Sequence, residues 1–139
     1  MSHTRLIYHV IFATKYRDPI ITPELEQALH PHLNWCIRAL GGTPLAVNGV
    51  ADHVHLVFGL KPTVTVSYIV AHTKARTSRR LNDGGPSSLR FAWQDGYAAF
   101  TVNPYYLSRL LNYVRDQKRH HGDQSIEPEN EWDDAPTSP

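Results

Sequence analysis

The pattern of apolar residues predicts an α+β domain in which helices cover an antiparallel sheet. Three observations carry this. Stretches that alternate apolar and polar residues, or are rich in β-branched residues, are interleaved with stretches of helical periodicity in the order β-α-β-β-α-β. The second and third strands are too close in sequence for anything but an antiparallel pair. A last helical stretch follows the fourth strand and ends the regular pattern near residue 121. At 139 residues the chain fits one domain.

From Leu6 to Thr14 the chain is apolar or β-branched on both faces, which is the mark of a central strand. His9 lies on it, where a hydrogen-bonded structural role is expected. Thr22-Pro23-Glu24 is a helix start, with Thr22 as the N-cap, Pro23 in the first turn and acids beside the positive end of the helix dipole. Leu25, Ala28, Leu29, Leu33, Cys36, Ile37 and Leu40 then keep helical spacing until Gly41-Gly42. Thr43 to Val50 is a second strand, and Asn48-Gly49 is a hairpin signal when taken locally. The third strand is His53-Val54-His55-Leu56-Val57-Phe58.

A second helix is expected from about Val64 to Leu81, with Val66, Ile69, Val70, Thr73, Thr77 and Leu81 toward the core and Lys74, Arg76, Arg79 and Arg80 elsewhere on it. Asn82 to Ser88 is rich in Gly, Pro, Ser and Asn and is expected to be a flexible loop. Gly96 to Val102 makes the fourth strand. Asn103 caps a third helix from Pro104 to about His121, whose apolar stripe is Leu107, Leu110, Leu111 and Val114. Trp93, Tyr97, Tyr105 and Tyr106 are expected to pack rather than to stack on a ligand. Residues 122–139 turn acidic and proline-containing, and a loosely held tail is expected.

The formal net charge of +1 conceals an asymmetry. All fourteen Lys and Arg precede residue 120, whereas five of the thirteen acids lie from Glu127 onward, so residues 1–126 carry a net +6. A basic body points to a polyanionic partner. The apolar runs are too short to span a membrane and no charged-then-apolar leader is evident, so a cytoplasmic protein is expected. The lone Cys36 cannot form an intrachain disulfide, and its apolar neighbours make it a buried core residue.

The chemistry centres on the third strand. Side chains two apart on a strand share a face, so His53 and His55 point one way while Val54, Leu56 and Phe58 point the other. Their α-carbons lie about 7 Å apart, which lets two imidazoles converge on one divalent ion. A third ligand is needed. In Tyr113-Val114-Arg115-Asp116-Gln117, helical spacing places Tyr113 and Gln117 one turn apart on a shared face, and the Gln117 amide can supply an oxygen.

Tyr8 through Arg17, Asp52-His53-Val54-His55-Leu56, and Tyr113 through Gln117 with His120-His121, in that order over roughly residues 5 to 121, resemble the TnpA-type single-tyrosine HUH transposases of small insertion sequences. The resemblance implies a ferredoxin-like (βαββαβ) antiparallel sheet with helices on one face, plus a C-terminal helix carrying the catalytic tyrosine, all within residues 1–121. It also moves the turn between the second and third strands to Ala51-Asp52. It implies Tyr113 as the nucleophile that cleaves and rejoins single-stranded DNA at insertion-sequence ends through a 5′-phosphotyrosine, with His53, His55 and Gln117 holding Mg²⁺ or Mn²⁺. Tyr106 is the rival nucleophile, but no glutamine follows it four residues on. The implied partners are single-stranded DNA with hairpins near the element ends and a second copy of the chain, as a homodimer whose tyrosine helices act in trans. Lys15, Arg17, Lys74, Arg76, Arg79 and Arg80 are the candidate DNA contacts. Ala51 and Thr101 depart from the family pattern without touching this chemistry. Two other readings compete: a domesticated relative that binds DNA hairpins as a regulator, and an unrelated metal-dependent hydrolase that uses the two histidines alone.

Overall fold

The computed structural model describes residues 2–84 and 90–132. Strand β1 (Ile7–Ala13) leads through a short 3₁₀ turn at Lys15–Arg17 into helix α1 (Pro23–Ala39). Strands β2 (Gly42–Gly49) and β3 (His53–Leu60) form a hairpin, helix α2 spans Val66–Gly84, and strand β4 (Ala98–Thr101) completes one sheet. Helices α3 (Leu107–Arg115) and α4 (Gln117–Gly122) follow, then a 3₁₀ turn at Pro128–Asn130. The strand order is β2-β3-β1-β4, with every neighbouring pair antiparallel. None of the described helices is long and apolar enough to cross a membrane.

Local chemistry explains the boundaries. The Thr22 hydroxyl accepts the Leu25 amide at 3.2 Å and Pro23 occupies the first turn of α1, as the sequence predicts. Gly41 ends that helix with φ at +101°, a conformation that L side chains rarely adopt. In the hairpin, Asn48 and Gly49 are not the loop: they pair with His55 and Val54, and the chain reverses over residues 50–52. Gly49 is needed there for closeness, because a Cβ would sit 2.3 Å from the His53 carbonyl oxygen.

Alternation along β1 and β3 sorts the side chains into two layers. Val10, Phe12, Val54, Leu56 and Phe58 face α1 and α2, where they bury Leu29, Leu33, Ile37, Ile69 and Val70. Trp93 belongs to this core, packing edge-on against Phe12 and donating its indole N–H to Thr77. On the other face, Ile7, Val57 and Ala46 pack against Leu110, Tyr113 and Val114 of α3. His9 and His55 share that second face, so α3 is laid directly over the histidines.

Three expectations differ from the structure. The third helix is not continuous from 104 to 121: it starts at Leu107 and breaks at Asp116, whose φ and ψ of −101° and 24° leave the helical region. Helix α2 runs on to Gly84, so part of the expected loop at 82–88 is helix and the remainder lies outside the described residues. The tail was expected to be loose, yet residues 127–132 return to the sheet, and Asn130 is buried. Residues 133–139 lie outside the described residues.

Candidate active site

Strand β3 delivers the two imidazoles together. His53 and His55 are both buried, with ring centroids 5.1 Å apart. Each ring is held from behind through Nδ1. The Asp52 carboxylate is 2.7 Å from His53 Nδ1, and His9 Nε2 is 2.9 Å from His55 Nδ1. With both Nδ1 atoms engaged, both Nε2 atoms face the same space, the arrangement usual for imidazoles that hold a metal. His9 comes from β1, directly beside β3 in the sheet.

Helix α3 brings Tyr113 over these rings. Its apolar stripe docks Leu110 and Val114 on the sheet, while Asn48 of β2 donates its side-chain amide to the Arg115 carbonyl at 2.8 Å and caps the helix end. Tyr113 is 2% exposed, and its ring centroid lies 6.3 Å from that of His55. Although the helix breaks at Asp116, Gln117 still points inward from the first position of α4 and is fully buried. The nucleophile candidate and the metal-ligand candidates therefore meet within one chain, and Tyr113 lies against the histidines of its own sheet.

A residue that the sequence reading left in the acidic tail stands at the centre. The Glu131 carboxylate accepts from the Tyr113 hydroxyl, lies 3.1 Å from His55 Nε2 and 3.3 Å from His53 Nε2, and accepts from the Gln117 amide at 3.4 Å. His121 Nε2 is 3.4 Å away on the other side. The segment around Glu131 is tied down at several points. Asn130 donates to the Tyr106 hydroxyl, the Glu127 amide donates to the Tyr113 hydroxyl, and Arg17 donates to the Trp132 carbonyl. His120 packs on the Tyr113 ring and bonds Ser125.

The electrostatics follow from a half-buried anion among imidazoles. Burial opposes ionisation of Glu131, yet hydrogen bonds from His53, His55 and Tyr113 outweigh it and hold the carboxyl far below its usual range. Burial pushes the Tyr113 hydroxyl well above its ordinary value, and the adjacent carboxylate pushes it further. Burial lowers His55 and His121. Burial opposes the charged form of His53 too, but the Asp52 and Glu131 carboxylates win and raise it. His9, buried and beside His55, is lowered to about 3 and stays neutral.

The site fits a divalent ion. Ligand atoms of His53, His55, His121 and Glu131 all lie within 4.8 Å of one another. The Gln117 amide oxygen is buried and has no hydrogen-bond partner, and the Nε2 atoms of His53 and His121 lack a well-directed one. Buried acceptors left open in this way are satisfied by a cation or a donor.

The basic candidates separate. Lys15 is exposed at the end of β1, with its ammonium 5.4 Å from the Tyr16 ring. Arg17, at the end of the 3₁₀ turn that follows β1, spends its guanidinium on the tail. Lys74 is half-buried and donates to the Gln94 and Gly96 carbonyls, a structural use that the sequence reading did not anticipate. Arg76, Arg79 and Arg80 are exposed and line a hollow with His32 and Trp35, on the helical layer remote from His55. Trp35 is 57% exposed and stacks on His32. Tyr105, expected to pack, is almost fully exposed. Sequence reasoning missed Glu131, the orienting roles of Asp52 and His9, and Trp35. For Glu131 the only available signal was its apolar neighbourhood, with Ile126 and Trp132 near it in an otherwise polar tail.

A family model described as IS200-like transposase matches residues 2–117. The chain is 26% identical over 124 residues to the transposase for insertion sequence element IS200 of Salmonella typhimurium, covering 84% of this chain and 81% of that one. It is 24% identical over 118 residues to the ISDra2 transposase TnpA of Deinococcus radiodurans, covering 81% and 84%. Among solved structures, a crystal structure of a candidate transposase from Deinococcus radiodurans R1 superposes with a TM-score of 0.67 at 26% identity, covering 84% of this chain and 93% of that one. A REP-associated tyrosine transposase bound to a REP hairpin gives a TM-score of 0.67 at 15% identity, covering 88% and 75%, a likeness of fold.

The lowered His9 makes a pH prediction. Its ordinary value is 6.5, so between pH 6.5 and 3 the unfolded chain binds a proton that the folded chain does not. Stability contributed by neutral His9 is complete above pH 6.5 and falls as the pH drops, by up to about 1.4 kcal/mol per pH unit. His9→Gln keeps a hydrogen-bonding group but cannot titrate. Urea unfolding of the metal-free protein across this window should show a slope against pH that is shallower by close to one proton in the variant, and equal slopes would disprove the assignment.

Proposed function

From the premise that this chain belongs to the IS200-like transposase family, whose enzymes cleave and transfer DNA strands, we propose that it cuts and rejoins single-stranded DNA at insertion-sequence ends by transesterification through Tyr113. The observation that carries this is the convergence of the Tyr113 hydroxyl, the Nε2 atoms of His53 and His55 and the Gln117 amide on one small space. We read the strand order β2-β3-β1-β4, with α1 and α2 on one face, as the ferredoxin-like arrangement that presents this site. A regulator would have no need to bury a tyrosine among the histidines, and a hydrolase would need no tyrosine at all.

In the first step Tyr113 Oη attacks the scissile phosphorus and loses its proton. The bond to the 3′-oxygen breaks, that oxygen takes up a proton, and Tyr113 is left esterified to the 5′-phosphate. A second DNA 3′-hydroxyl then attacks the phosphotyrosine, regenerating Tyr113 and a DNA phosphodiester. A Mg²⁺ or Mn²⁺ ion held by His53, His55 and Gln117 would supply Lewis-acid stabilisation of charge on the phosphate and the departing oxygen. Asp52 and His9 keep the imidazoles turned with Nε2 forward. Docking of α3 on the sheet places Tyr113 without a large search. Burial, and then contact with Glu131, favour the protonated form of its hydroxyl.

For the partners, the hollow of Arg76, Arg79, Arg80, Trp35 and His32 offers phosphate contacts and an aromatic face to DNA hairpins, away from the cleavage site. Lys15 lies nearer the site, on the strand-end turn. We keep the homodimer in the proposal, because β4 is an edge strand with Phe100 41% exposed, able to meet a second copy in the cytoplasm. The tyrosine itself we assign to its own chain. Trans sharing was the expectation from the resemblance, but Leu110, Val114 and the Asn48 bond to the Arg115 carbonyl favour docking in cis.

Tyr113→Phe should abolish the covalent protein–DNA adduct on a denaturing gel while leaving single-strand binding intact, and EDTA should suppress the adduct in the unaltered protein; Tyr106→Phe should retain it. An adduct that persists in Tyr113→Phe and vanishes in Tyr106→Phe would reassign the nucleophile. Arg79→Ala/Arg80→Ala should weaken binding to hairpin DNA and reduce the salt dependence by on the order of one logarithmic unit per lost phosphate contact. An unchanged salt slope would make these a merely solvated face. Mixing His53→Ala/His55→Ala chains with Tyr113→Phe chains should yield no adduct, since neither chain owns a complete site; recovered adduct would mean that the tyrosine helices exchange.

A further inference from the structure

We propose that Glu131 is a ligand of the divalent ion, so that the centre is His53, His55, Gln117 and a carboxylate delivered by the chain's own C-terminal segment; this rests on the metal-assisted reading above. The geometry is specific. One carboxylate oxygen is 3.1 Å from His55 Nε2 and 3.3 Å from His53 Nε2, and the other meets Tyr113 and Gln117. The Gln117 amide oxygen, fully buried, is left without a partner in the same space. An ion among these atoms would satisfy both the anion and the orphaned acceptors.

The chemistry of the donor set agrees. Two neutral imidazoles and an amide carry no charge, whereas Mg²⁺ and Mn²⁺ favour anionic oxygen ligands. A half-buried carboxylate walled in by histidines is otherwise an expensive arrangement, sustained only by close pairing. Nor is its position accidental, since bonds on both flanks hold the backbone: Glu127 to Tyr113, Asn130 to Tyr106, and Trp132 to Arg17. His121 Nε2 lies 3.4 Å from the second carboxylate oxygen, within the same cluster of ligand atoms. Coordination would also draw the carboxylate's charge toward the ion and away from the Tyr113 hydroxyl that it now holds protonated.

The test is Mn²⁺ binding to the full chain without DNA, followed by loss of the free-ion electron paramagnetic resonance signal. Glu131→Gln should weaken binding on the order of ten-fold or more, Glu131→Asp should fall between, and Glu129→Gln, which removes an exposed charge from the same segment, should bind like the unaltered protein. His53→Ala/His55→Ala should lose the site. If that double variant loses binding while Glu131→Gln binds as tightly as Glu129→Gln, Glu131 is not a ligand and the metal-centre reading survives. Tighter binding by Glu131→Gln would likewise overturn the proposal, by making the carboxylate an occupant that excludes the ion. If the double variant binds like the unaltered protein, the metal centre itself is misplaced. Should Glu131→Gln fail to fold, the unaltered protein grown with ¹³C-carboxyl glutamate decides: ¹³C hyperfine coupling to bound Mn²⁺ is expected, and its absence overturns the assignment.

Discussion

A carboxylate largely withdrawn from water cannot be tolerated alone, and the arrangement around the half-buried Glu131 is what that constraint requires. Removing an anion from water costs several kcal/mol unless donors replace the lost hydration. Here the replacements come from three separate elements of the chain: β3 through His53 and His55, α3 through Tyr113, and α4 through Gln117 and His121. Each contact therefore fixes one element against another. The sheet, the tyrosine helix and the returning tail share a single electrostatic anchor, which is why residues 127–132 follow a defined path in a stretch whose composition is that of a loose tail.

The same site shows how orientation is separated from chemistry. The atoms we propose to face the reacting phosphate are Nε2, an amide oxygen and a phenol, and the imidazoles and the phenol are aimed by groups behind them. Asp52 and His9 act on the histidines through Nδ1, and Asn48 acts on the tyrosine through the end of its helix. Because β1 and β3 are hydrogen-bonded neighbours, the His9–His55 contact is a property of sheet register. A slip of one residue would move His9 into the aliphatic layer and Val10 or Tyr8 into its place.

Sequence periodicity made the sheet and the two covering helices legible, because Val54, Leu56 and Phe58 alternate strictly with the histidines and the helical stripes are long. The Asn48-Gly49 pair illustrates the limit of local signals. Its turn propensity is genuine, but Gly49 serves the close approach of His53 across the ladder, and the reversal occurs three residues later. The break at Asp116 was invisible for a related reason: no proline or glycine marks it, and helical spacing continues through it. Tyr113 and Gln117 could still be paired correctly because both lie near the break, where a change of helix direction moves them little. Glu131 could not be found, since composition speaks for the tail as a whole while its placement depends on partners up to 78 residues away in sequence, at His53.

In the role we propose for Tyr113, what the fold accomplishes chemically is to keep the phenol protonated and placed at once. A phenol needs to lose its proton to attack phosphorus, and both burial and a neighbouring carboxylate oppose that loss. The barrier is useful in an enzyme that breaks DNA, since a permanently ionised nucleophile would react with any strand that strayed in. Activation then requires positive charge to enter the space that Glu131 already organises, and the remaining geometry needs little rearrangement. The basic residues of α2 belong to the helical layer on the opposite face of the sheet from Tyr113, and Arg17 is committed to the tail. Among the imidazoles of the site, burial opposes the charged form, and only His53 is raised, by its two carboxylate neighbours. A divalent ion bound by the proposed ligands would place a double charge beside the phosphate and the phenol.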